Sequence, residues 1–377
     1  MKLYLKAFAL GCLFLALLTS CDDTKTSGGS GGNGGSTSNA MLPPARGDLG
    51  EMILIVDTAI VKGSLQESLD GVFDMQVPGV GSPESYFTVR TVSPVAMNST
   101  LRAAHILVYV ATLDNQSRAG RTLLSNFTEN SIDLIKEDPN KFYSVSKDRF
   151  ARNQTVLFLY GQNAQVLAQN LRDNKEVIQD LLVNKLEEQV KSGLYKAGEV
   201  EGLGNLLLQE RGYTLRVPFA WDLAKKEEDF VWIRRLDQQI DKSVWIYSTD
   251  YVSEAQFAQQ SILAMRVEAA KGHIFDVQKP EIYMETQDRE DIPVQISTKQ
   301  VNFAGTFAVE MRGLWRLSDY SRGGPFLSYT IADPEAGKLY YIEGYVDSPG
   351  KDKLPSIMEL EVILKTFRTQ SMLGGAE

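Results

Sequence analysis

Cys21 carries the clearest chemistry in this chain. Its sulfur is nucleophilic as the thiolate, and it follows Leu18, Thr19 and Ser20. The small pair before it leaves the backbone there accessible. A second concentration is aromatic and basic. All four tryptophans fall between Trp221 and Trp315. Arg216, Trp232, Arg234, Glu310, Arg312 and Trp315 are the candidate ligand-binding residues, because tryptophan and arginine are enriched where binding energy concentrates and aromatic faces also serve sugars. A core role for Trp232, Trp245 and Trp315, with the arginines on a solvated strand face, accounts for the same residues.

The elements around Cys21 give it a context. Lys2 and Lys6 form a positive start, and residues 7–18 are an apolar run of 12. That suits a signal peptide and is short for a membrane span, which needs about 20 residues. Leu18-Thr19-Ser20-Cys21 resembles the bacterial lipobox. The resemblance implies a diacylglycerol on the Cys21 sulfur, removal of residues 1–20, and acylation (palmitate or similar) of the new amine. Two or three acyl chains hold firmly, at about 0.8 kcal/mol per buried CH₂. Asp22-Asp23 resembles the surface-export signal of Bacteroidetes-type lipoproteins. Residues 21–41 then form a tether rich in Gly, Ser, Asn and Thr, a coil with a reach of roughly 25 Å. The expected location is the cell envelope, lipid-anchored in the outer membrane at its periplasmic face or the cell surface.

Composition closes off several function classes. The chain has 377 residues, 43% apolar and 23% charged, with a formal charge of −9 that becomes more negative once Lys2 and Lys6 leave. An acidic chain without a basic stripe argues against nucleic acid as a partner and against charge-driven attachment to anionic lipid. Cys12 departs with the signal and Cys21 is lipidated, so no cysteine remains for a disulfide, a metal or a nucleophile. His105 and His273 are the only histidines; both read as structural, and no triad is supported by a nucleophile elbow. Gly28-Gly29-Ser30-Gly31-Gly32 matches G-x-S-x-G but lies in the tether, without strand or helix. Gly202-Leu203-Gly204 lacks the third glycine of a dinucleotide fingerprint. No catalytic residue, metal ligand or cofactor is assigned.

Residues from 42 onward read as folded. Apolar runs at 52–56, 106–110 and 156–160 read as buried strands, and 87–92 as an alternating one. Leu65, Leu69, Val72 and Phe73 recur at helical spacing. Leu167, Leu171, Ile178, Leu182, Leu186 and Val190 predict one long helix, followed by a shorter one over 203–211. Strands are expected at 213–217, 231–236 and 244–247, then a helix capped by Ser253 with Gln256. Residues 303–317 predict one half-buried strand, with Phe303, Phe307, Val309, Met311, Trp315 and Leu317 on one face and Thr306, Glu310, Arg312 and Arg316 on the other. Strands at 326–331 and 339–346 and a final helix with Ile357, Leu360, Ile363, Leu364 and Phe367 complete the chain. The class is α+β: antiparallel sheets with helices packed on one face. Phe87-Thr88-Val89-Arg90 echoes Tyr213-Thr214-Leu215-Arg216, and Leu107-Val108-Tyr109 echoes Trp245-Ile246-Tyr247. The repeated order suggests two duplicated ferredoxin-like units, 42–150 and 151–377, the second carrying a strand-rich C-terminal extension.

Arg46-Gly47, Gly50-Glu51, Arg216-Val217-Pro218, Phe230-Val231-Trp232-Ile233-Arg234, Arg312-Gly313-Leu314-Trp315, Gly323-Gly324-Pro325-Phe326 and Glu343-Gly344-Tyr345-Val346 together resemble an uncharacterised domain-of-unknown-function lipoprotein family of Bacteroidetes, over about residues 42–367. The resemblance implies an envelope lipoprotein and lends no activity. The chain therefore reads as a non-enzymatic binding or assembly module whose partners are the membrane, through Cys21, and an unknown envelope protein or glycan. The alternative is a hydrolase of envelope glycan or peptide using carboxylates that sequence alone cannot pair. A deep cleft holding two close carboxylates of raised pKa would favour the enzyme; an aromatic and arginine groove would favour binding.

Overall fold

The computed structural model describes residues 42–374, apart from 277, 288, 290, 292 and 293. Cys21, the signal and the tether lie outside the described residues. Residues 42–377 form one compact unit. In chain order the elements are β1 (Glu51–Val56), α1 (Ser64–Phe73), β2 (Thr88–Val92), α2 (Ser99–Arg102), β3 (Ile106–Thr112), α3 (Arg118–Leu124), α4 (Glu129–Glu137), β4 (Tyr143–Lys147) and β5 (Thr155–Gly161). Three helices follow: α5 (Ala164–Asp173), α6 (Lys175–Leu194) and α7 (Leu203–Arg211). Next come β6 (Tyr213–Thr214), β7 (Asp222–Lys226), β8 (Phe230–Leu236), β9 (Asp241–Asp250), α8 (Gln259–His273), β10 (Phe275–Asp276) and β11 (Lys279–Thr286). The chain closes with β12 (Ser297–Phe303), β13 (Thr306–Leu317), β14 (Gly323–Asp333), β15 (Lys338–Asp347), α9 (Leu354–Leu364), β16 (Arg368–Thr369) and α10 (Gln370–Gly374). Among the described residues no helix is long and apolar enough to cross a membrane.

The mixed α+β class holds, but the sheets differ from the expectation of duplicated units. The first sheet runs β2-β1-β3-β5-β4. Its first four strands are parallel, and only β4 is antiparallel. The continuous apolar runs of β1, β3 and β5 are what a parallel strand needs when helices cover both faces. Strand β5, from the segment expected to open the second unit, pairs with β3 of the first. The second sheet is antiparallel, β10-β11-β13-β14-β15-β9-β8-β7, with β12 also on β13. A two-stranded β16-β6 ladder completes the set.

Between the sheets lies the largest core. Met52, Leu54 and Val56 of β1, Ile178, Leu182 and Leu186 of α6, Ile357, Leu360 and Leu364 of α9, and Val231, Ile246 and Ile342 of the second sheet all belong to it. The far face of the first sheet packs Ile53, Leu107 and Phe158 against Leu123 of α3. The far face of the second packs Trp245, Met311 and Trp315 against Ile262 and Ala269 of α8. Each sheet is thus covered on both sides.

Two expected elements divide. The long helix breaks at Asn174, whose backbone (φ −123°, ψ 28°) is not helical; the apolar stripe skips that turn, between Leu171 and Ile178. The expected strand over 303–317 is a hairpin. Ala304 and Gly305 both have positive φ, 52° and 90°, the signature of a two-residue turn that follows the strand twist. Crossing this turn separates Phe303, which enters the central core, from Phe307, which is exposed and meets Phe257 edge-on at 5.1 Å.

Helix α9 approaches the second sheet most closely at Gly344, where an added Cβ would lie 2.9 Å from Leu360 Cβ. Gly344→Ala is expected to push the helix outward and cost about 1–3 kcal/mol. Chemical denaturation checks this, with the midpoint falling and the slope unchanged.

Candidate ligand-binding cleft

Alternation along β13 decides what faces the central core. Val309, Met311 and Trp315 point toward α8. Ala308 points to the opposite side, and Glu310 and Arg312 share its face by the period of two. That face is not solvated, as the sequence suggested, but lies under α6 and α9. Helix α9 is buried almost all round, so its one deeply buried acid, Glu361, must find a partner. Arg312 supplies it. Its Nη2 donates to Glu361 Oε2 at 2.9 Å and its Nε to Glu310 Oε1 at 2.7 Å. Lys365, one turn after Glu361, pairs with Glu361 Oε1 at 2.9 Å and with Glu187 of α6. The result is a buried chain of alternating charge, Glu310–Arg312–Glu361–Lys365–Glu187, that joins β13, α9 and α6.

Beside this chain opens a cleft of about 750 Å³, within the size range of small-ligand sites, roughly 300–1,000 Å³. Glu310, Arg312, Tyr86 and Tyr329 line it, with Val183, Val301 and Phe303 as apolar wall and Lys299, Asn184 and Asn302 at the polar positions. One polar atom here, Arg312 Nη1, has no hydrogen-bond partner among the described residues, while the Tyr329 hydroxyl stands against the Glu310 carboxylate. The Arg312 side chain is only 7% exposed and Tyr329 only 2%. Leaving such a group unsatisfied costs about 1–3 kcal/mol.

A second buried arginine offers a comparison. Arg266 of α8 is fully buried, and each of its nitrogens has a partner. Nε and Nη2 donate to Glu343 at 2.7 and 2.8 Å, and Nη1 donates to Thr286 Oγ1 at 2.8 Å. Tyr341 donates to the same carboxylate at 2.6 Å, and Phe326 lies 4.1 Å beneath the guanidinium. The Arg312 guanidinium instead keeps one buried nitrogen without a partner among the described residues, and several tryptophan and hydroxyl groups elsewhere in the fold are likewise unpartnered.

The charges set distinct protonation tendencies. Burial acts to raise the Glu361 carboxyl, but Arg312 and then Lys365 outweigh it and hold it at about 2. Burial pushes the Glu187 carboxyl up despite Lys365. Burial, with the nearby carboxylates Glu361 and Glu310, keeps the Tyr329 phenol well above its ordinary range, so it stays protonated. Each acid of the chain has a cation against it.

Of the sequence candidates, the structure brings together Glu310 and Arg312 and places the others elsewhere. Trp315 is core, its Nε1 donating to the Val346 carbonyl at 3.1 Å. Trp232 and Arg234 lie on the α8 side of β8, the guanidinium 5.5 Å from the ring. Arg216 is on the surface, paired with Glu199 and stacked on Tyr195 at 4.3 Å. Glu227, Asp229 and His273 have ligand atoms within 4.8 Å of one another, yet the Lys225 ammonium already sits there, 2.9 Å from Glu227 and 3.2 Å from the His273 carbonyl. Sequence reading missed Glu187, Glu361, Lys365, Tyr86 and Tyr329. One signal was present: Glu361 on the buried side of a mostly apolar helix, with Lys365 four residues later at its C-cap.

Glu361 ties stability to pH. A folded pKa below its ordinary value of 4.5 makes a contribution that is complete above that value and lost as pH falls toward about 2. Glu187, shifted upward from the same value, acts with the opposite sign, and its effect falls above the window of Glu361. Glu361→Gln is expected to destabilise the chain at pH 7 by about 3–5 kcal/mol, since Arg312 and Lys365 lose their shared counter-charge. The variant's melting temperature should also fall less than the parent's between pH 5 and 3; thermal unfolding across that range checks both.

Two family models match the chain. Residues 204–366 match a family described as Domain of unknown function (DUF4837), and residues 45–194 match Domain of unknown function (DUF8532). No curated protein matches. Among solved structures the chain is similar to a mutant of the protein Mog1, at 12% identity over 42% of this chain and 90% of that one, with a TM-score of 0.26. It is also similar to the Saccharomyces cerevisiae Ran-binding protein Mog1p, at 10% identity over 43% and 93%, with a TM-score of 0.27. The cleft draws on both matched stretches, α6 from the first and β12, β13 and α9 from the second, and both are families of unknown function.

Proposed function

We propose that this protein is a lipid-anchored binding module of the cell envelope, and that the cleft beside Arg312 is its ligand site. The observation that carries the site is Arg312 Nη1, buried without a hydrogen-bond partner among the described residues beside a cleft of about 750 Å³. Binding sites can keep such a deficit at the expense of stability. The anchor rests on the sequence: the resemblance of residues 18–21 to a lipobox, the apolar run before it and the Gly/Ser-rich tether after it. In this reading the acyl chains on Cys21 hold the folded unit roughly 25 Å from the membrane. Binding is favoured over hydrolysis because Arg312 and Lys365 neutralise the most deeply buried carboxylate of the cleft, Glu361.

A thermal-shift screen of small polar compounds against the parent and Lys299→Trp, which puts an indole at the cleft, tests the site. A compound that binds there is expected to raise the melting temperature of the parent by several degrees and that of the variant much less. Compounds that stabilise both equally, or none that stabilises the parent, would end the ligand-site reading. The anchor has its own test. Cys21→Ala is expected to move the protein from the membrane to the soluble fraction on cell fractionation, and unchanged membrane association would refute lipidation.

A further inference from the structure

From the outer edge of β12 we infer that this protein binds an extended segment of another protein, which adds to the second sheet as a further strand. The inference goes beyond the ligand-site reading and stands without it. It uses main-chain groups on the rim of the sheet and a groove on the face opposite Arg312.

Strand β12 pairs with β13 alone, in unbroken register from Ser297–Arg312 to Phe303–Thr306. The pair that closes a two-residue turn exchanges both of its hydrogen bonds, and every second pair after it does the same. Phe303, Val301, Lys299 and Ser297 therefore spend their main-chain groups on β13. Thr298, Gln300 and Asn302 turn theirs outward, where those groups have no hydrogen-bond partner among the described residues. All three residues are exposed. Such an edge is a template for another strand. Elsewhere this sheet protects its edges. β10 has two residues, and β7 carries Lys225 and Lys226 with a bulge between Leu223 and Lys225, devices that discourage pairing. β12 has seven residues, regular register and a single charge, Lys299.

An apolar groove of about 690 Å³ lies beside this edge, lined by Tyr251, Glu254, Phe257, Gln300, Phe307 and Pro334 among others. Phe307 is 46% exposed there. Successive side chains of an added strand point to opposite faces, so its main chain bonds to β12 while every second side chain lies against these rings. Sheet edges read peptides in this way. The groove also selects among occupants. A second copy, pairing β12 with β12 about a two-fold axis, would present Thr298, Gln300 and Asn302 to it, all polar. The tether, residues 22–40, has no large apolar side chain. A segment of another protein with aromatic or branched aliphatic residues at alternate positions fits. Glu254 is exposed and has no ion pair among the described residues, so a basic residue on the same face of the segment is matched in charge.

The test selects a displayed library of random heptapeptides against the protein, immobilised through its N-terminal segment. Enriched peptides are expected to carry large apolar residues at every second position, with lysine or arginine on the same face. The strongest binder is then titrated by fluorescence anisotropy. Phe307→Ala should weaken it at least fivefold and Glu254→Lys severalfold. Gln300→Pro, which removes an N–H that β13 does not use, should weaken it at least tenfold; Phe307→Ala, at an exposed position, keeps the test decisive if that variant fails to fold. Methylating the peptide's main-chain nitrogens at one alternate set should abolish binding, and at the other set leave it unchanged, because only one set faces β12. Enrichment without alternation, no enrichment, equal effects of the two methylated sets, or unchanged binding by Phe307→Ala would each overturn the inference. So would a dimer of the parent that Gln300→Pro dissolves in sedimentation, since the occupant would then be a second copy. If peptides bind in this way while no small compound stabilises the parent, only the ligand-site reading falls.

Discussion

A guanidinium held between two carboxylates inside the protein is the interaction on which the rest of this structure turns. Burying Arg312 costs several kcal/mol of lost hydration, and only well-placed counter-charges offset that. Glu310 comes from its own strand. Glu361 comes from α9, which reaches the sheet closely because Gly344 has no side chain. Lys365 then carries the alternation outward to Glu187 on α6. One charge requirement thus sets how a helix from the first half of the chain and a helix from the end sit over the second sheet. It also explains why a cleft exists there. Charged side chains occupy the margin of the core, and apolar residues that would have filled the space are excluded.

The two buried arginines show two uses of one chemistry. Arg266 fastens α8 to the far face of the sheet, and its cluster is complete, with no opening beside it. Arg312 is tied by two of its three nitrogens, and the third is buried without a partner among the described residues. The first arrangement spends all its hydrogen-bonding capacity on the fold. The second holds some back, which is the usual cost of a surface prepared for another molecule.

Much of the fold was legible because strand and helix periods are local. The buried strands β1, β3 and β5, the helix ending at Arg211 and the capping box at Ser253, which opens a short 3₁₀ turn ahead of α8, all appear where their patterns place them. Strand direction was not legible. An apolar run such as 52–56 says that both faces are covered, and a parallel sheet is the usual reason, but the weak echo between halves pointed toward antiparallel ferredoxin-like units. The turn at Ala304-Gly305 was missed because alanine rarely adopts positive φ, so nothing broke the apparent alternation of 303–317. Arg312 was placed on a solvated face for another reason: alternation along a strand does not record that α6 and α9 cover its second side. Of the site, Glu310 and Arg312 were singled out, while Tyr329, Glu361 and Glu187 depend on contacts between distant segments that no local pattern records.

The order of strands in the second sheet has a consequence in time. β9, which ends at Asp250, takes β15 as its neighbour, and the short β6 pairs with β16 at Arg368–Thr369. Such distant pairings close slowly, because a long loop must be ordered before any contact rewards it. They also cannot form before their partners have been made. A ribosome working at about 5–20 residues per second needs on the order of ten seconds to travel from β9 to the end of β16. Throughout that interval β9 has one open edge, and the central core lacks the helix α9. The second sheet is therefore held unfinished until β15, α9 and β16 have been made.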